Sequence, residues 1–86
     1  MSTRAIRRMD IKKRVGLNLQ RLRRDKNLSQ EELAHRAEVH QTYLSGVETG
    51  KRNPSIEVLS RIAGALSVDI EEFFKVRRGT TPTRRG

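Results

Sequence analysis

Two stretches with helical signals lie only three residues apart, at 29–37 and 41–48, and this spacing restricts the fold more than any other feature of the chain. Ser29 followed by Glu32 fits a capping box, and Leu28 ahead of the cap can pack on Leu33 as a hydrophobic staple. The helix that starts there turns Leu33, Ala34 and Ala37 inward. Glu38-Val39-His40 has room only for a tight turn, with His40 at the N-cap of the next helix. That helix, Gln41 to Glu48, buries Leu44 and Val47 and stops at Gly50. So short a connection forces the two helices to cross steeply, the first bracing the second, which is held outward. Ala34 and Ala37 are small enough for the close approach such a crossing requires.

The flanking segments read as helices packed around this pair. Ile11, Val15, Leu19 and Leu22 step by four, four and three, one face of a helix that Asp10 would cap and that runs to about Asp25. Asn27, which tolerates the left-handed conformation, is placed to end it. After the polar loop Lys51-Arg52-Asn53-Pro54, Ser55 is a good N-cap for a fourth helix with the stripe Ile56, Leu59, Ile62, Ala63 and Leu66. A short fifth helix from about Asp69 brings in Ile70, Phe73 and Phe74. The expectation is an all-α, five-helix domain over residues 10–76, with a mobile basic arm at 1–9 and a disordered basic tail at 77–86.

Eighty-six residues make one domain with one small core. There is no cysteine, which rules out a disulfide framework and any Cys-ligated metal. His35 and His40, without fitting partners, do not make a zinc site and read as surface or capping residues. No apolar run approaches the length needed to span a membrane, and the N-terminus has no apolar signal region, so a cytoplasmic protein is expected. An enzyme is not supported: the chain has no nucleophile-with-base arrangement, no Gly-rich phosphate loop and no metal-ligand cluster. Neither a cofactor nor a small-molecule ligand is expected.

The net charge of +9 points to a polyanion, yet most of it sits outside the helical region. Arg4, Arg7 and Arg8 precede that region with no acid among residues 1–9. Lys75, Arg77, Arg78, Arg84 and Arg85 follow it, again with no acid, which leaves +1 for residues 10–74. The stronger argument is positional. The face of 41–48 opposite Leu44 and Val47 carries Gln41, Thr42, Ser45 and Thr49, all short or amide-bearing and uncharged. Gln can bond the N6 and N7 edge of adenine at two points, and Thr offers a hydroxyl and a methyl that meets thymine.

The segment "LSQEELAHRAEVHQTYLSGVETGKRNPSIEVLSRIAGALSVDIEEFF" resembles the Cro and phage-repressor helix-turn-helix family over about Val15 to Phe74. The shared features, in order, are Ser-Gln-Glu-Glu-Leu-Ala, Tyr-Leu-Ser with Glu and Gly following, and Pro-Ser with a downstream Ile-Ala-x-Ala-Leu. The resemblance implies a lambda-repressor-like domain that regulates transcription by binding a palindromic double-stranded DNA operator as a homodimer. It casts Gln30 as a phosphate ligand at the start of the second helix and Gln41, Thr42, Ser45 and Gly46 as base-facing positions. Arg23 and Glu48 match an internal ion pair. Within the family, "QTYLSGVETGKRN" is most similar to the small controller proteins of restriction–modification systems, which adds Tyr43, Arg52 and Asn53 to the DNA contacts.

Lys51 joins Arg52 as a phosphate-binding loop residue, and the arginine-rich termini attract duplex through counterion release. Ile70, Phe73 and Phe74 are expected at a dimer seam as well as in the core. Two departures from the family pattern stand out. Glu38 occupies a turn position where glycine is frequent and a positive φ is needed, and Gly46 offers no side chain where a base contact is common. The alternative reading is an antitoxin-type module that sequesters a protein and also binds its own operator, with the C-terminal tail as its candidate partner-binding segment.

Overall fold

The computed structural model describes the backbone of residues 2–76 and the side chains of residues 11–76. Four α-helices, α1 (Ser2–Asp25), α2 (Gln30–Ala37), α3 (Gln41–Glu48) and α4 (Ile56–Leu66), are followed by one 3-10 turn, η1 (Ile70–Phe74). The expected fifth helix is therefore only this turn. Asp69 caps it by accepting from the Glu71 N–H, and the Glu72 N–H donates to the Asp69 carbonyl three residues back. Five residues are too few to repay α-helix nucleation, and the tighter 3-10 pattern serves such short pieces.

α1 also begins earlier than Asp10, which lies inside the helix rather than at its cap. Residues 2–9 hold no Gly or Pro and include good helix formers such as Arg4, Ala5, Arg7 and Met9, so nothing there stops the backbone. The expected tail, 77–86, lies outside the described residues, as do the side chains of the N-terminal arginines.

The α2 start is the capping box that its sequence specifies. The Ser29 hydroxyl accepts from the Glu32 N–H at 3.0 Å, and Glu32 Oε1 accepts from the Ser29 N–H at 2.8 Å. α2 ends on Glu38 in the left-handed conformation with φ 59°, and α1 ends before Asn27 at φ 58°. Glu38 thus adopts the φ expected at its place in the turn without being glycine. His40 stands at the N-cap of α3 but makes no side-chain cap bond, whereas Ser55 caps α4 by accepting from the Val58 N–H.

The core gathers Val15, Leu19 and Leu22 from α1, Leu33, Ala34 and Ala37 from α2, Leu44 and Val47 from α3, and Leu59, Ile62, Ala63 and Leu66 from α4, with Leu28 and Phe73 closing it. α2 packs on α4, and α1 packs on both α3 and η1. Three of the expected core residues stand outside: Ile11, Ile56 and Phe74 are exposed, Ile56 to 78%. The three line one apolar groove that no further element of the described residues covers.

Candidate nucleic-acid interface

α3 is fixed by its underside and presents its other face. Leu44 and Val47 are buried to 0% and 1% exposure, while Gln41 and Thr42 are exposed and Ser45 is half-buried. Thr49 is exposed too, but its hydroxyl turns back to the Ser45 and Gly46 carbonyls at 3.1 and 3.2 Å. Gln41 and Thr42 are therefore the foremost polar side chains of this face.

The rear of α3 is tied to α1 by an ion pair. Arg23 Nε lies 2.6 Å from Glu48 Oε2, and Arg23 Nη2 donates to Glu48 Oε1 at 3.1 Å. Arg23 Nη1 also donates to the Leu28 carbonyl at 2.8 Å, which anchors the entry to α2. Gln30, expected on a phosphate, is half-buried, and its Nε2 donates to Glu48 Oε1 at 3.0 Å. One carboxylate thus receives groups from α1 and α2, and the three helices share a polar joint at the buried end of α3.

Two determinants of this geometry escaped the sequence reading. Gly16 in α1 faces the end of α3 so closely that a Cβ there would lie 2.5 Å from the Glu48 carbonyl oxygen and 2.6 Å from that of Val47. A glycine inside a helix whose apolar residues already account for packing gives little signal, because the reason for it sits on another helix. Asn18, 1% exposed, donates from Nδ2 to the Phe73 carbonyl at 2.8 Å and to the Lys75 carbonyl at 2.9 Å. A lone Asn between apolar positions could have been flagged as a buried polar group, but not its partner 55 residues away.

The loop after α3 returns across the helix. The N–H groups of Lys51 and Arg52 both donate to the Gly46 carbonyl, at 2.8 and 3.0 Å. The Arg52 guanidinium carbon lies 5.6 Å from the centroid of the half-buried Tyr43 ring, which itself packs against the core. Lys51, Arg52 and Asn53 are all exposed. Gly46 is thus approached by the chain's own loop: a Cβ on it would meet Arg52 Cγ at 2.5 Å.

The three residues expected at a dimer seam do not share one environment. Phe73 is fully enclosed in the monomer core and has no side-chain surface to offer, because Asn18 pulls the η1 backbone onto α1 and turns that ring inward. Ile70 is half-buried. Phe74 keeps 41% of its surface exposed and lines an open apolar groove with Ile11, Val15, Ile56 and Leu59.

The α2–α3 pair, joined by a three-residue turn, with its buried apolar underside and its exposed polar face, has counterparts in known proteins. The family model described as "Helix-turn-helix" matches residues 19–73. The chain belongs to this family. It is a helix-turn-helix transcriptional regulator of the Cro and phage-repressor type, similar to restriction–modification control proteins. An uncharacterized HTH-type transcriptional regulator of Sinorhizobium fredii is 50% identical over 65 residues, spanning 76% of this chain and 84% of the relative. Control protein C.MunI of a Mycoplasma species is 42% identical over 66 residues, spanning 76% and 89%. The crystal structure of the restriction-modification controller protein C.AhdI from Aeromonas hydrophila superposes with a TM-score of 0.72 at 38% identity, covering 73% of this chain and 96% of that one. Among the described residues no helix is long and apolar enough to cross a membrane.

Proposed function

We propose that the chain works as a homodimer on a palindromic double-stranded operator in the cytoplasm, each copy laying α3 into the major groove to control transcription. The observation that carries this reading is the division of α3 into a buried apolar side, Leu44 and Val47, and a free polar side led by Gln41 and Thr42. A helix locked from behind and uncharged in front is suited to reading base edges, where hydrogen-bonding side chains distinguish pairs that charge alone does not. Two such helices related by a dyad would meet successive major grooves about 34 Å apart. Lys51 and Asn53 at the loop, and the second N–H of the Gln30 amide, are in keeping with phosphate contacts that set register. Tyr43 would seat the loop, and Ser45 would line the centre of the reading face. Phe74 with Ile11 and Ile56 forms the apolar surface that a second copy would cover.

Selection from a random-core duplex library followed by footprinting tests this reading. The expected product is an inverted repeat protected on successive major grooves. Gln41→Ala should relax preference at one base pair per half-site, costing about 1–3 kcal/mol there. Equal weakening on selected and random duplex would show that Gln41 is not a base contact. Selection that returns no sequence preference would overturn the operator-reading function as a whole.

A further inference from the structure

Leu17 is 61% exposed, and among the described side chains of α1 it is the large apolar one that neither joins the core nor lines the groove of Phe74. It stands in a second groove of about 390 Å³, between α1 and the end of α3, with Lys13, Gln20, Glu48 and Thr49. This groove is fixed from beneath. The half-buried Gln20 donates from Nε2 to the Glu48 carbonyl at 3.1 Å. A Cβ on Gly50 would lie 3.3 Å from Lys13 Cγ, so the Lys13 stem rests on the Gly50 backbone. Lys13, Leu17, Gln20 and Arg24 follow one another at steps of four, three and four, a stripe along the outside of α1. The same helical register brings positions 6 and 9, an isoleucine and a methionine, into line with that stripe. All its apolar members precede residue 19, where the helix-turn-helix match begins.

Charge is divided unevenly between this helix and the rest. α1 holds nine Lys and Arg against Asp10 and Asp25, whereas residues 30–74 hold four against eight acids. Lys13 and Arg24 are exposed and meet no carboxylate among the described side chains. We infer that the stripe is a docking surface for an acidic amphipathic helix of another protein, with Leu17 as its apolar anchor and Lys13 and Arg24 as its charged rim. An amphipathic helix laid in a groove is held by apolar residues at this spacing, and rim charges select the partner. The chain's own segments fit less well. A second copy laying the same stripe here would set Lys13 and Arg24 against their like, and residues 77–86 hold four arginines and no acid. A groove walled by two helices also suits a cylinder better than a flat lipid surface. No residue of the stripe lies on α3 or its loop, so the inference goes beyond operator reading and can be measured apart from it.

The test uses the full chain without DNA and a labelled synthetic peptide of about 18 residues, with leucines along one helical side and glutamates beside them. Fluorescence anisotropy should show saturable binding that weakens as salt rises. Leu17→Ala should weaken it about tenfold. Lys13→Glu should weaken it too and flatten its salt dependence. Met9→Ala should bring a further loss, while Phe74→Glu, in the other groove, should have no effect. Leu17→Ala alters an exposed position, so its melting temperature, self-association and duplex affinity should match wild type. Equal binding of a peptide with lysine for every glutamate would overturn the inference. So would equal binding of a shuffled peptide whose leucines are spread around the helix. Reduced self-association of Leu17→Ala would make the occupant a second copy, and a duplex loss equal to the peptide loss would assign the stripe to DNA. Leu17-dependent binding to phosphatidylserine vesicles, with none to the peptide, would make it a membrane surface. Each of these three outcomes refutes a protein partner.

Discussion

Arg23 of α1 and Glu48 of α3 meet at two points, Nε to Oε2 at 2.6 Å and Nη2 to Oε1 at 3.1 Å, with side-chain exposures of 12% and 2%. So enclosed a pair tolerates the loss of one member poorly, since the survivor is left charged without its partner. Glu48→Ala should cost about 3–5 kcal/mol in chemical denaturation, well above the 0–1 kcal/mol typical of surface pairs. It should also free the Gln30 amide. Replacing both residues with apolar ones of similar volume should cost clearly less than Glu48→Ala alone. Equal losses would mean that packing, not the uncompensated charge, sets the penalty.

How much of this could be read from the chain follows from how local each cause is. Ser29 and Glu32 satisfy each other across three residues, so the α2 start was legible, as was the turn through Glu38. The Arg23–Glu48 pair spans 25 residues and was reached only through the family resemblance. Gly16 and Asn18 were missed because their partners lie on other elements. Phe73 and Phe74 are adjacent and chemically identical. Only the clamp from Asn18 decides that the first closes the core while the second faces outward.

Asn18 binds two carbonyls with one amide nitrogen while its Oδ1 accepts from Arg21 Nη2 at 3.2 Å. Asn18→Leu preserves bulk but leaves the buried Phe73 carbonyl without a donor, at a cost of about 1–3 kcal/mol. For a domain of this size, thermal unfolding should shift down by several degrees per kcal/mol. Asn18→Asp should be worse, because it sets an acceptor against two acceptors. An unchanged melting temperature in Asn18→Leu would show that the clamp contributes nothing.

Gly16 and Gly64 both lie inside α-helices and should respond oppositely to alanine. At Gly64 a Cβ meets nothing within 4 Å, so only the conformational gain remains, about 0.5–1 kcal/mol of added stability. At Gly16 that gain is opposed by backbone oxygens at 2.5 and 2.6 Å that cannot rotate away. Pushing α1 from α3 costs about 1–3 kcal/mol in overpacking, so Gly16→Ala should be destabilising on balance. It should also loosen DNA binding, because it displaces α3. Parallel denaturation of the two variants checks the contrast.

The capping box gives a pH dependence with a definite sign. The Ser29 N–H donating to Glu32, helped by the Ser29 hydroxyl, holds the Glu32 carboxyl below the usual glutamate range. A depressed folded-state value means that the stabilisation is fully present above the ordinary glutamate value. It is then lost as pH falls through the lower folded one. Glu32→Gln keeps a hydrogen-bond acceptor but cannot titrate. The stability gap between wild type and Glu32→Gln should therefore be constant near neutrality and shrink on acidification. A gap independent of pH would mean that the carboxylate charge is irrelevant to the cap.

Phe74 decides whether the apolar groove is an interface between copies. Its ring is 41% exposed and lies with Ile11 and Ile56, which are 38% and 78% exposed, on one side of the domain. A small monomer seldom leaves several large apolar side chains together without a use for them. Phe74 contributes little to the monomer core, which Phe73 already fills, so Phe74→Glu should leave thermal stability at low protein concentration nearly unchanged. The same substitution should weaken self-association at least tenfold in sedimentation equilibrium, since it places a charge in a closing apolar contact. Operator affinity should fall with it, because one half-site alone forgoes the second set of contacts, while half-site preference is kept. Phe73→Ala, by contrast, should unfold the domain, at about 3–5 kcal/mol. If Phe74→Glu remains dimeric, the seam lies elsewhere, and the groove between α1 and α4 is left without a role in pairing.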